Sequence, residues 1–79
     1  MRIELIIDTR APEGATEKEE ERFYQDIWES VNKQTRNPVE PDGCVNVCWL
    51  IWPTEEEKKR VEMMLNQREV EWQWGETER

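Results

Sequence analysis

The sequence predicts a small α/β fold, in which a single layer of about three strands packs against two helices in the order β-α-β-α-β. Three observations support this prediction: alternating apolar residues near both ends of the chain, two Thr-x-x-Glu motifs, and an apolar central stretch, GCVNVCWLIWP, at 43–53. Because 79 residues suffice for one small domain, we expect 1–79 to form a single domain, with 75–79 as a flexible tail.

The first two elements are a strand and a helix. The strand is predicted at 2–8, where Ile3, Leu5 and Ile7 share one face. After a loop containing Pro and Gly, Thr16 and Glu19 have the spacing of a capping box, so a helix is predicted from about 17 to 34. Its apolar stripe consists of Phe23, Tyr24, Ile27, Trp28 and Val31, and Glu20 projects onto the same stripe near its amino-terminal end.

The central strand is predicted at 44–52, between the turn residues at 41–43 and Pro53. Both of its faces are mostly apolar, which is typical of a strand covered on both sides or of one whose second face meets a partner. Thr54 and Glu57 repeat the capping-box spacing, so a second helix is predicted at 55–67. Helices between strands favour parallel crossover connections, and two helices are expected to leave one sheet face uncovered.

The last element is predicted as a strand at 69–74, because Val70, Trp72 and Trp74 alternate with polar residues. The alternative is a continuation of the second helix. In that case Trp72 would join the apolar stripe of the helix, but Val70 and Trp74 would be exposed.

The residue types argue against catalytic and metal sites. Without histidine, the chain cannot form a Ser-His-Asp triad, a Cys-His dyad or an ordinary zinc site. Cys44 and Cys48 are four positions apart, which on a strand separates them by about 13 Å, too far for a disulfide. We therefore expect free thiols, no metal, no cofactor and no enzymatic activity.

The chain is expected to be cytoplasmic. Its amino terminus lacks the apolar region of a secretory signal. The longest apolar run has six residues, at 47–52, whereas a membrane helix needs about 20.

The distribution of charge predicts a basic partner. The formal net charge is −8, which repels nucleic acids and anionic membranes. Residues 13–29 contain seven acidic and two basic residues, and residues 69–79 contain four acidic and one basic residue. Carboxylates three or four positions apart on a helix are separated by about 5–6 Å, a spacing comparable with that of phosphates along a DNA strand.

The first helix is therefore predicted to imitate a nucleic-acid backbone and to occupy the basic groove of a nucleic-acid-binding protein. The alternative is a solvated acidic surface without a partner. The predicted partner-binding residues are Glu17, Glu20, Glu21 and Asp26, with Glu69, Glu71 and Glu76 as secondary contacts and exposed Trp72 or Trp74 as an aromatic anchor.

Three short motifs resemble the DinI family of damage-inducible regulators of bacteria and prophages. They are MRIELIID at 1–8, PEGA at 12–15 and EEEKKRVEMML at 55–65, and they cover about a third of the chain. The resemblance implies a β-α-β-β-α fold as the alternative topology. It also implies a cytoplasmic protein that binds RecA and modulates its filament and coprotease activity in the SOS response, using an acidic carboxy-terminal helix that imitates DNA.

The sequence departs from that family in two respects. Pro53 leads directly into the second helix, so the second hairpin strand is expected to be missing. The second helix is also nearly neutral, whereas the acidic residues lie on the first helix and the tail. These departures imply that the contact surface has moved or that the target differs. A phage-encoded inhibitor of another host defence or DNA-processing system is therefore an alternative of the same size and charge.

A structural role is the remaining alternative. The uncovered sheet face would then pair with a second copy through Trp49, Ile51 and Trp52, and the protein would form a homodimer.

Overall fold

A computed structural model describes the whole chain, residues 1–79. Its elements are β1 (Arg2–Ile7), α1 (Glu17–Asn32), β2 (Glu40–Pro41), β3 (Val47–Ile51), α2 (Glu55–Gln67) and β4 (Trp72–Glu78). The predicted α/β class with two helices is confirmed. The sheet has four strands rather than three, and the element order is β-α-β-β-α-β.

Both helices begin at the predicted capping boxes. The Thr16 side chain accepts a hydrogen bond from the Glu19 backbone N–H, and the Glu19 carboxylate accepts one from the Thr16 backbone N–H. Thr54 and Glu57 exchange the same pair of bonds at the start of α2. Because these bonds satisfy backbone donors that have no partner within the helix, they define where each helix begins.

Each helix connects two parallel strands, β1 to β2 across α1 and β3 to β4 across α2, as the predicted crossovers require, but no two neighbours in the order β2-β3-β1-β4 are parallel. The reason lies in the segment between α1 and β3, which carries the chain back to the far end of β1. There the Ile7 backbone N–H donates to the Asn46 carbonyl, and β3 then runs back along β1. The strands on either side of α2, β3 and β4, do run in the same direction, but β1 lies between them.

The region before β3 differs from the prediction. Residues 44–46 form a turn, closed by a bond from the Val47 N–H to the Cys44 carbonyl, so β3 is shorter than the predicted 44–52. Glu40 and Pro41 pair with Trp49 and Cys48 as the short edge strand β2. The β2–β3 pair is thus a hairpin between the two helices, where we expected the second hairpin strand to be missing.

The carboxy-terminal segment is a strand, as predicted, and the alternative of a continued helix was wrong. A turn with Glu69 at a φ of 58° follows α2, and β4 then pairs with β1 from Trp72 to Glu78. Residues 75–78, which we assigned to a flexible tail, are therefore part of the sheet, with Glu78 opposite Arg2.

Both helices pack on the same face of the sheet. The buried core joins side chains of β1 and β3 to the inward stripes of both helices: Leu5, Ile7, Tyr24, Ile27, Val31, Cys48, Leu50, Val61 and Leu65. The opposite face is covered by no element of the chain, as expected. We call it the outer face, and its residues on β1 and β3 are Arg2, Glu4, Ile6, Val47, Trp49 and Ile51.

Neither helix is long and apolar enough to span a lipid bilayer.

Candidate functional site

The amino-terminal half of α1 carries three of the predicted contact residues together. Glu17, Glu20 and Glu21 are exposed, and none of them forms an ion pair. At 3.6 residues per turn they lie within about 100° of helix rotation, so their carboxylates share one side of α1. The helix itself is held in place because Tyr24, Ile27 and Val31 are buried in the core.

The sheet adds a fourth carboxylate to this side. Asp8, which follows β1, is exposed and borders the same surface cleft of about 510 Å³ as Glu20. The cleft is also lined by Arg10, so it contains one positive charge. We refer to Asp8, Glu17, Glu20 and Glu21 as the acidic surface. Asp8 was not among the predicted residues, because only the packing of α1 across the end of β1 brings it near Glu20.

Asp26 does not belong to the acidic surface. It lies about 140° of helix rotation from Glu21, and its carboxylate is 3.3 Å from the guanidinium of Arg22. It borders a different cleft, together with Pro12 and Phe23. The structure therefore separates Asp26 from the other three predicted residues of the helix.

The secondary acidic residues are spread along the molecule. Glu71 is close to the acidic surface, because its carbonyl accepts hydrogen bonds from the backbone N–H groups of Asp8 and Thr9. Glu69 is exposed in the turn after α2. Glu76 lies five residues further along than Glu71, beside Glu4, whose carboxylate accepts the Glu76 N–H. At about 3.3 Å per residue, Glu76 is some 16 Å from Glu71.

The aromatic anchors are placed differently from the prediction. Trp72 and Trp74 are half-buried and pack against the core, with their ring centroids 5.4 Å apart in an edge-to-face arrangement. Their indole N–H groups donate to Asn66 and Glu62 on α2. These contacts hold β4 against α2. Neither tryptophan is the freely exposed aromatic residue that we expected.

The freely exposed tryptophan is Trp52, whose relative exposure is 62 %. It follows β3 with a φ of 44°, a left-handed conformation that bulky residues rarely adopt. Two hydrogen bonds hold its backbone there: its N–H donates to the Met1 carbonyl, and its carbonyl accepts from the Arg36 guanidinium.

Trp49, on the outer face, is covered despite the absence of an overlying element. The Arg2 guanidinium lies 4.2 Å from the centroid of the Trp49 ring and also pairs with Glu40 and Glu78. The indole N–H of Trp49 donates to the Asp42 carboxylate. Only 4 % of Trp49 is exposed, so the outer face has no large open aromatic surface at its centre.

The two cysteines differ in environment. Both are free, Cys44 in the exposed turn and Cys48 in the core. Burial, assisted by the nearby charge of Asp42, raises the pKa of the Cys48 thiol to about 12. A thiol in this state is a poor nucleophile and a poor ligand. The side chains also contain no cluster of three or more residues that could hold a metal ion.

No protein-family model, curated protein or solved structure matches this chain.

Proposed function

We propose that this chain is a small acidic regulatory protein that binds a nucleic-acid-binding protein by placing a DNA-like row of carboxylates in its basic groove. The observation that carries the proposal is the set of exposed carboxylates without ion-pair partners in the first half of α1, at Glu17, Glu20 and Glu21. An exposed row of carboxylates attracts a basic groove over several ångströms and steers association.

The rigidity of α1 supports the proposal. The capping box holds its first turn, and three core residues hold its inward face. Because the carboxylates are arranged before binding, ordering the helix costs the complex little free energy. The −8 charge of the whole chain adds long-range attraction to a basic partner and keeps the protein away from nucleic acid itself.

The resemblance to the DinI family makes RecA the first partner to test. Under this hypothesis the protein modulates RecA in the SOS response, and its contact surface is α1 rather than the carboxy-terminal helix. If the partner is a different nucleic-acid-binding protein, the same chemistry corresponds to a phage-encoded inhibitor of a host defence or DNA-processing system.

The decisive experiment is a pull-down from a bacterial lysate, with and without competing single-stranded DNA. We expect the immobilised protein to retain RecA or another DNA-binding protein, and single-stranded DNA and high salt to release it. Absence of RecA from the eluate would remove the RecA assignment. A bound protein that resists both DNA and salt would contradict mimicry altogether.

The role of the acidic surface is tested by a charge-reversal variant, Glu17→Lys/Glu20→Lys/Glu21→Lys. We expect it to lose the partner while keeping its helical circular dichroism. The matched control is Glu29→Lys/Glu40→Lys/Glu56→Lys, which changes the net charge equally at exposed positions outside the surface and disrupts only exposed ion pairs. Equal loss of binding in both variants would show that net charge, and not the arrangement on α1, is responsible.

Self-association through the outer face is the second candidate, and it is favoured by the exposure of Trp52 beside Ile51. It requires a molar mass that rises with concentration in light scattering and a monomeric Trp52→Ser variant. A constant monomer mass would exclude it. The covering of Trp49 by Arg2 leaves less apolar area for such a dimer than the sequence predicted.

A further inference from the structure

A second surface, at the free edge of the sheet, has backbone groups available for pairing. Strand β4 is the last strand of the sheet and pairs only with β1, through five of its seven residues. An edge strand of this length is a template on which another extended segment can pair. No helix or loop of the chain forms a further strand beside it.

The register identifies which peptide groups point outward. The backbone N–H of Ile7 points towards the β3 side, where it donates to the Asn46 carbonyl. Trp72 on β4 is the residue paired with Ile7. Ile7 and Trp72 therefore form a pair without mutual hydrogen bonds, and the N–H and C=O groups of Trp72 point away from β1. Trp74, two residues later, has the same orientation.

Outward-pointing peptide groups also occur at the other end of β4. The Met1 carbonyl accepts from the Trp52 N–H on the β3 side, so alternate residues of β1, including Ile3, also direct their peptide groups towards β3. Thr77, opposite Ile3, therefore points its N–H and C=O outward. A bulge between these positions, opposite Glu4, interrupts the ladder, so an added strand would pair in two short stretches.

The charge around this edge selects the partner. Glu71 and Glu76 flank the outward groups without ion pairs, and Glu4 on β1 adds a further carboxylate without an ion pair on the adjacent strand. Glu62, on α2 beneath the edge, already accepts the Trp74 indole N–H and brings another acid. Of the bases near this edge, Arg2 is occupied by Glu40 and Glu78, and Arg79 follows the last residue of β4.

The geometry points to β4 as a docking edge for an extended, lysine- or arginine-rich segment of another protein, which adds to the sheet as a fifth strand. A second copy of this chain is disfavoured there, because it would bring the same row of acids to the same edge. Backbone pairing supplies the geometry of the contact, and alternate basic side chains meet Glu4, Glu71 and Glu76. This inference does not depend on the acidic surface of α1.

The test uses a defined probe, a blocked seven-residue peptide that alternates lysine and valine. The control peptide has the same sequence with N-methyl groups on alternate residues, which keep the charge but prevent strand pairing. We expect the first peptide to bind at a single site and to slow hydrogen exchange at the amides of Trp72, Trp74 and Thr77, measured by NMR. The methylated peptide is expected to do neither.

The protein offers a matched pair of variants at Thr77. Thr77→Pro removes an outward donor without removing a bond to β1, and it should weaken peptide binding about tenfold, whereas Thr77→Val should leave it unchanged. Circular dichroism and the melting temperature establish that each variant is folded. If Thr77→Pro does not fold, the comparison of the two peptides decides the question.

Four outcomes would overturn the inference. The first is equal binding of both peptides, because charge alone would then explain it. The second is protection confined to α1, which would place the basic segment on the acidic surface instead. The third is an absence of binding. The fourth is a fifth strand supplied by a second copy, detected as a concentration-dependent mass without peptide.

Discussion

The Glu57 carboxylate, only 3 % exposed, accepts a hydrogen bond of 2.6 Å from the Arg36 backbone N–H and lies 3.5 Å from the Arg36 guanidinium. The same carboxylate caps α2 by accepting the Thr54 backbone N–H. One buried side chain thus joins the start of α2 to the loop that follows α1. This contact accounts for a buried acid in a chain whose other carboxylates are at least partly exposed.

Removing this carboxylate is expected to destabilise the fold. Glu57→Ala leaves the partly buried N–H groups of Thr54 and Arg36 without their acceptor, so we expect a loss of about 1–3 kcal/mol in the free energy of unfolding, measured by urea denaturation. Glu56→Ala, at an exposed position in the same helical turn, is the control and should change it by less than about 0.5 kcal/mol. Equal effects of the two substitutions would contradict the role assigned to Glu57.

The contribution of Glu57 should depend on pH. The hydrogen bonds from the Thr54 and Arg36 backbones, together with the Arg36 charge, lower the pKa of Glu57 in the folded protein. In the unfolded chain a glutamate titrates at about 4.3, so at acid pH the unfolded state binds the proton more readily. The stabilisation by Glu57 is therefore complete above that value and is lost as the pH falls through the lower, folded pKa.

The comparison with Glu57→Gln isolates this effect from the repulsion among the other acids. We expect the difference in unfolding free energy between the two proteins to be constant from pH 6 to 8, to shrink below about pH 4, and to be smallest at the most acidic pH at which both fold. A difference that is independent of pH would show that Glu57 stabilises the fold through shape and not through its charge.

The two thiols should differ in reactivity. With its pKa near 12, Cys48 carries almost no thiolate at pH 8, and the core also excludes reagents, whereas Cys44 is accessible. A colorimetric thiol reagent should therefore modify one cysteine per native chain and two in denaturant. Cys44→Ser should abolish the native reaction. Rapid modification of both thiols in the native protein would contradict the burial of Cys48.

Gly75 should be required for the position of Glu4. A methyl group at Gly75 would overlap the Glu4 side chain, whose carboxylate accepts the Glu76 N–H. Gly75→Ala is therefore expected to cost about 1 kcal/mol of unfolding free energy. In a Glu4→Ala background the same substitution should be nearly neutral, because the overlap is absent. Additive effects in this double-mutant cycle would show that the two positions are not coupled.

Local sequence patterns predicted the helices well because local bonds define them. Each Thr-x-x-Glu motif forms its capping box within four residues, and the helices start where these motifs predict. The alternation of Val70, Trp72 and Trp74 likewise predicted a strand. The short strand β2 gave no such signal, since two residues that include a proline have no alternation and acquire their extended pairing only from contact with β3.

The candidate site was predicted in part. Helix periodicity grouped Glu17, Glu20 and Glu21. It also placed Glu20 at the amino-terminal end of the apolar stripe, and in the structure Glu20 borders a surface cleft. Asp26 was included because of its charge alone, although its position in the helical turn places it on a different side of α1 from Glu17, Glu20 and Glu21. Asp8 was missed because its proximity to Glu20, twelve positions away in the sequence, depends on how α1 packs against β1.

By itself, the sequence determined the α/β class, both helix starts, the apolar stripes and the net charge, because these depend on residue types and on spacing within one or two turns. Only the tertiary structure decided the antiparallel order, the covering of Trp49 by Arg2, and the exposure of Trp52 rather than Trp72 or Trp74. It also made β4 an edge strand. These features depend on which distant segments meet, and that is set by packing of the whole chain and not by any local pattern.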